Sequence, residues 1–278
     1  MSNTYFVHQT TYLTFYMLFI STPVGASIIL VLLIGSWWWI FLKRKKRKIF
    51  RFPDAWYTIL TNKVAFYRQL SMSERARFEE NVLQFLNDIP ITGVSVEVDD
   101  TDRLLVAASA VIPLFGFPGW RFRNLNEVLL YEGTFNEDYE TQKGEDINTL
   151  GMVGTGSMNR MMILSKSALH QGFDDNISIQ NVGIHEFVHL LDKADGTTDG
   201  IPELLISQSF LIPWVKMMHK EIEAIKDGVS DIPFYGSTNE AEFLSVVSEY
   251  FFQNPKQLEI KHPELYALLE KAFRHAPK

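Results

Sequence analysis

The sequence contains no cysteine. Neither a disulfide framework nor a thiolate metal site can form, so any bound metal must be held by His, Asp or Glu. The first 42 residues also contain no Asp, Glu, Lys or Arg. Acidic residues outnumber basic ones, 33 to 26, and Lys43–Lys48 alone carry six of the positive charges: the net charge is −7, so taking those six away leaves −13 for the rest. A body that acidic argues against nucleic-acid binding as its main activity, since phosphate neutralisation needs a basic face. What is present is ample apolar material, 46% of 278 residues. That is enough to bury a sizeable core as one large or two modest domains.

From Val24 to Leu42 the chain is almost continuously apolar, long enough to cross a bilayer as a helix. Trp37, Trp38 and Trp39 stand at its end, where an aromatic belt is expected, and the basic run follows at once. A cleaved signal peptide would carry its positive charges before the apolar run and a small-residue cleavage site after it. Here the order is reversed. Residues 1–50 are therefore expected to form a membrane anchor in an inner or plasma membrane, with the body 51–278 in the cytoplasm. Tyr5–Ser21 is apolar and aromatic but interrupted by Gln9, Thr10 and Thr11 and followed by Pro23, so a second span or an interfacial segment is open.

In the body, Leu70–Leu86 reads as an amphipathic helix capped by Ser71 or Ser73, with Phe78, Val82, Phe85 and Leu86 on one stripe. Val94–Val98, Val128–Tyr131 and Met161–Leu164 read as short strands, Leu104–Pro113 as a buried helix, and Gly151–Asn159 as loop. Three short strands among helices suggest an α+β body.

The chemistry concentrates in Asn176–Lys193. Apolar spacing at Val182, Phe187 and Leu191 predicts a helix capped at Asn176 or Ser178 and stopped by Gly196. On that helix His185 and His189 of His185-Glu186-Phe187-Val188-His189 lie one turn apart on one face, so their ring nitrogens can converge on one ion. Glu186 falls on the neighbouring flank, placed to take a proton from water rather than to ligate. Two histidines can stand four apart on any helix, so the context decides.

A catalytic zinc needs a third protein ligand. After His189 there is no histidine until His219. Ser237–Phe252 offers carboxylates instead, on a helix capped by Thr238 or Asn239 with Phe243, Val246, Val247, Tyr250 and Phe251 packing. Glu242 and Glu249 are seven apart and share its packed face, where an unpartnered carboxylate is costly. Either is a candidate for metal or hydrogen-bonding work. Glu240 points to another side and is expected in water.

His185–Asp192, Asp199-Gly-Ile-Pro202 and Ala241–Phe252 followed by Pro255 together resemble the Mlc titration factor A family of zinc metallopeptidases. That family is related in its site to the catalytic domain of anthrax lethal factor. The resemblance covers most of the body and implies a zincin-like domain with a small sheet and an HExxH helix. It implies Glu242 as third zinc ligand and Tyr235 as the group that stabilises the oxyanion.

The mechanism implied is peptide hydrolysis by a metal-activated water, with zinc on His185, His189 and Glu242 and with Glu186 as general base. Asp192, one turn after His189, and Glu249 are candidates to hold an imidazole N–H. Asp192 reads equally as a helix-end side chain in water. A second reading is a membrane-tethered binding protein that sequesters a cytoplasmic partner such as a transcriptional repressor, its zinc structural or vestigial. Glu186 separates the two, because only the enzyme needs it.

Overall fold

The computed structural model describes residues 52–133, 151–153, 160–174, 179–202 and 208–274. The expected anchor, the basic run and the Tyr5–Ser21 segment lie outside them. Among the described residues no helix is long and apolar enough to cross a membrane. Phe52–Lys278 forms a compact unit separate from Met1–Arg51.

The body opens with α1 (Asp54–Lys63), α2 (Ala65–Gln69) and α3 (Met72–Asp88). Ser71, not Ser73, caps α3: its hydroxyl accepts from the Glu74 amide while the Glu74 carboxylate accepts from the Ser71 amide, the reciprocal pairing of a capping box. Phe78, Val82 and Phe85 are buried as the spacing requires, and Leu86 is half-buried. The next helix, α4 (Asp100–Leu114), starts on a second capping box between Asp99 and Asp102. It is buried throughout Leu104–Leu114, which explains its apolar run without polar alternation. Pro113 is accommodated in its last turn.

Four strands form one sheet in the order β1-β2-β4-β3, with β1 (Ile91–Val94), β2 (Glu127–Tyr131) and β4 (Met161–Ser165) mutually parallel. The fourth, β3 (Gly151–Val153), pairs antiparallel with β4 at the edge. This small sheet among helices is an α+β architecture, with two corrections to the expected strands. The first strand ends at Val94 instead of beginning there, because Ser95 takes a positive φ of 59° and turns the chain back. The turn brings the Val96 carbonyl so close to Gly93 that a Cβ there would meet it at 2.0 Å, which is why a glycine interrupts the strand. Secondly, β3 lies in a stretch read as loop, since three residues beginning with glycine show no alternation.

Helices α5 (Lys166–Gly172), α6 (Val182–Asp192), α7 (Gln208–Lys226), α8 (Glu240–Gln253), α9 (Pro255–Lys261) and α10 (Pro263–Arg274) complete the body. One apolar core runs through α3, α4, α6, α8 and α10. The inner helix α6 crosses α4 where Gly183 faces Ser109: a Cβ on Gly183 would stand 2.1 Å from the Ser109 hydroxyl. Helix α8 packs along α6 on another side. The two helices that carry the expected metal ligands are thus adjacent inside the core.

Candidate metal centre

Helix α6 begins at Asn181, whose side chain accepts from the Ile184 amide. The two caps expected from the sequence, Asn176 and Ser178, fall outside the described residues. Nearly all of α6 is buried, including His185, Glu186 and Asp192. Helix α8 is capped by Asn239 on the Glu242 amide, which sets Glu242 in its first turn. A 3-10 turn, Phe234–Ser237, runs into that helix and presents Tyr235, 54% exposed.

These elements bring His185 Nε2, His189 Nε2 and Glu242 Oε2 together. The two ring nitrogens are 3.1 Å apart, and the carboxylate oxygen is 3.0 Å from His185 and 3.4 Å from His189. Two imidazole nitrogens cannot both face each other as acceptors unless a proton or a cation stands between them. Ligands about 2.0–2.1 Å from a tetrahedral ion lie roughly 3.3 Å apart, close to the observed spacing. The three residues therefore fit a metal ion, and among the described residues they are the single His/Asp/Glu group so arranged.

Charge around His185 is set by two carboxylates. Its Nδ1 is 2.7 Å from Glu249 Oε1. In the neutral ring that bond places the proton on Nδ1 and leaves the Nε2 lone pair aimed at His189 and Glu242. Burial opposes the imidazolium, yet the bonds to Glu242 and Glu249 override it and hold the metal-free pKa at about 10. Glu242 is the mirror case: burial raises its pKa, but the two imidazoles bring it down to about 2. Glu186 is pushed upward, chiefly by burial. Among the described residues its carboxylate has no hydrogen-bond partner, so it is free to exchange a proton with a molecule in the site. Tyr235 has its ring centre 5.9 Å from that of His185. Burial and then the Glu242 charge raise its pKa to about 12, so the hydroxyl stays a donor.

The other candidates separate. Glu249 is buried on the face of Glu242 and contacts the imidazole, and Glu240 is exposed, 3.8 Å from His219. Asp192 is completely buried, so it is not a solvated helix end, and it does not hold an imidazole. It accepts instead from the Gly200 amide at 2.9 Å, while its other oxygen has no partner among the described residues and burial lifts its pKa to about 6. Gly200, at φ 72°, lies under the start of α8, where a Cβ would meet the Glu240 carbonyl at 2.2 Å. Trp214 Nε1 donates to the Gly200 carbonyl at 2.8 Å. Asp192 and Asp199-Gly-Ile-Pro202 thus join the end of α6 to the helix that carries Glu242. Asn181, whose amide donates to Glu249 Oε2, is a further residue of this site, not among the expected caps or ligands. Its signal was an Asn directly before the first apolar residue of the helix.

The family model of the glucose-regulated metallo-peptidase M90 matches residues 39–274. An uncharacterised protein of Synechocystis sp., slr2042, is 27% identical over 241 residues, covering 82% of this chain and 87% of that protein. The Mlc titration factor A of Pectobacterium atrosepticum is 30% identical over 168 residues, 55% of this chain and 60% of that protein. The namesake from Serratia proteamaculans is 25% identical over 212 residues, 70% of this chain and 77% of that protein. The match spans both site helices and all three converging residues, and the chain belongs to the glucose-regulated metallo-peptidase M90 family.

Proposed function

We propose that this protein is a zinc-dependent peptidase with a zincin-like domain, and the observation that carries the reading is the convergence of His185, His189 and Glu242 beside the buried carboxylate of Glu186, which has no hydrogen-bond partner among the described residues. Zinc is favoured among metals because two imidazoles and one carboxylate are a common catalytic zinc set that leaves a fourth position open. When bound there, the ion supplies Lewis acidity toward a peptide carbonyl and toward water. The chain's own groups do the proton work. Glu186 accepts the proton of the attacking water and returns it to the departing amine nitrogen, as its raised affinity for a proton allows. The Tyr235 hydroxyl donates to the oxygen on which negative charge develops. Glu249 keeps the His185 ring turned with Nε2 inward.

The test is metal content. The full chain should bind close to one zinc, and His185→Ala or His189→Ala should abolish it; retention of metal in both variants would place the site elsewhere. Uptake at pH 7.5 should also release close to one proton, because His185 with a pKa of about 10 is protonated in the metal-free protein. The sign follows: from pH 10 down to pH 7 the proton competes increasingly, so affinity should fall about tenfold per unit. Calorimetry in buffers of different ionisation heat measures the proton count, and a count of zero would mean that the ring binds neutral.

The names of the titration-factor relatives favour a second role for the same body, binding of a regulatory protein. Such a role needs the fold and not Glu186. Residues 24–48 support placing the body on the cytoplasmic face of a membrane, through one apolar span followed by a basic run. Reporter fusions after Lys48 should be active only in the cytoplasm; an externally active fusion would reverse this orientation.

A further inference from the structure

Asn181 is completely buried, and each of its polar groups is used. Its Oδ1 accepts from the Ile184 amide at 3.0 Å, its Nδ2 donates to the Gly172 carbonyl at 2.9 Å, and its backbone amide donates to Glu249 Oε2. Glu249 Oε1 is the atom against His185 Nδ1. One helical turn beyond Glu249, Gln253 Nε2 donates to the same Gly172 carbonyl. The bonds therefore close a ring: Gly172 to Asn181, Asn181 to Glu249, then along α8 to Gln253 and back to Gly172. Gly172 lets the strands of this ring approach, since a Cβ there would stand 2.9 Å from Asn181 Cα.

A helix cap needs only the side-chain oxygen, which serine supplies as well as asparagine does. The Nδ2 donor is surplus to capping. It fixes the Asn181 peptide relative to α5, and that peptide in turn holds one oxygen of the carboxylate whose other oxygen meets the imidazole. We propose that Gly172, Asn181 and Gln253 form a clamp that orients Glu249 and thereby the His185 ring, with Asn181 as a positioning residue of the metal centre. Loss of a partner that orients a metal-ligating histidine typically weakens metal binding about 10–100-fold.

Asn181→Ser keeps the cap and removes the clamp, and two readouts on the full chain test it. The first is the imidazole nitrogen and proton spectrum of the metal-free protein labelled with 15N-histidine, with His185 assigned by its loss in His185→Ala. The Nδ1 proton signal, shifted downfield in the wild type by Glu249, should move upfield or broaden in Asn181→Ser and to a lesser degree in Gln253→Ala. The second, which rests on the zinc reading above, is zinc affinity by competition with a chelating dye. It should fall about tenfold in Asn181→Ser, and less than twofold when the same change is made in Glu249→Gln, because both act through one contact. An unmoved His185 signal with additive zinc effects, whatever happens to Tm, would reduce Asn181 to a cap and overturn the proposal. A wild type that takes no zinc while the His185 signal still moves would leave the clamp standing and remove the zinc reading. If Asn181→Ser does not fold, Gln253→Ala carries both readouts.

Discussion

Replacing Glu186 with Gln should leave zinc bound at close to one per chain and lower peptide hydrolysis about 10²–10⁴-fold, the range for loss of a positioned general base. The amide matches the carboxylate in size, so the packing of α6 is preserved and the three converging ligands are untouched. What disappears is the ability to take a proton. Burial raises the proton affinity of Glu186, and no hydrogen bond among the described residues commits its oxygens elsewhere. Metal analysis and a peptidase assay on one sample decide the matter. Full hydrolysis by Glu186→Gln would mean that another group is the base. If the chain works by holding a regulatory protein, the same variant should retain that binding, so the two readings part at one residue.

The second large effect is expected at Glu242, and its size is informative only beside its neighbours. Glu242→Gln removes one of three atoms that converge within 3.4 Å of each other, so zinc affinity should fall more than about 100-fold, beyond the range for supporting residues. Activity should fall with it. Glu249→Gln leaves the three ligands in place but weakens the hold on the His185 ring, so affinity should fall about 10–100-fold. Glu240→Gln should be close to silent, because that carboxylate is exposed and reaches no nearer than 3.8 Å to His219. The order Glu242, Glu249, Glu240 is the content of the prediction. A Glu242→Gln protein with wild-type zinc affinity would exclude it as a ligand.

The parts of the site legible in the sequence are those written in helical spacing. His185 and His189 four apart, and Glu242 and Glu249 seven apart on a packed helix, need only the periodicity of α6 and α8 to be placed on the right faces. That these two helices lie against each other needed the family resemblance, since periodicity says nothing of partners. What stayed hidden depends on backbone geometry. The positive φ of Ser95 ends β1 early, and Asp192 finds its partner through the positive φ of Gly200, eight residues on. No local pattern announces either. The Asn181 clamp was hidden differently, because its partners Gly172 and Gln253 come from two other helices and one contributes only a carbonyl.

His185 and Glu242 are 57 residues apart in the chain. At roughly 5–20 residues per second, synthesis takes about 3–11 s to pass from one to the other. Through most of that interval a nascent chain already holds both histidines and Glu186 but lacks Tyr235, Glu242 and Glu249. The histidine pair alone is a weak and unselective chelator of whatever divalent ion is at hand. On the peptidase reading proposed above, the centre is complete only once α8 has been made and packed against α6, so a nascent chain that has not reached Glu242 should not yet cut.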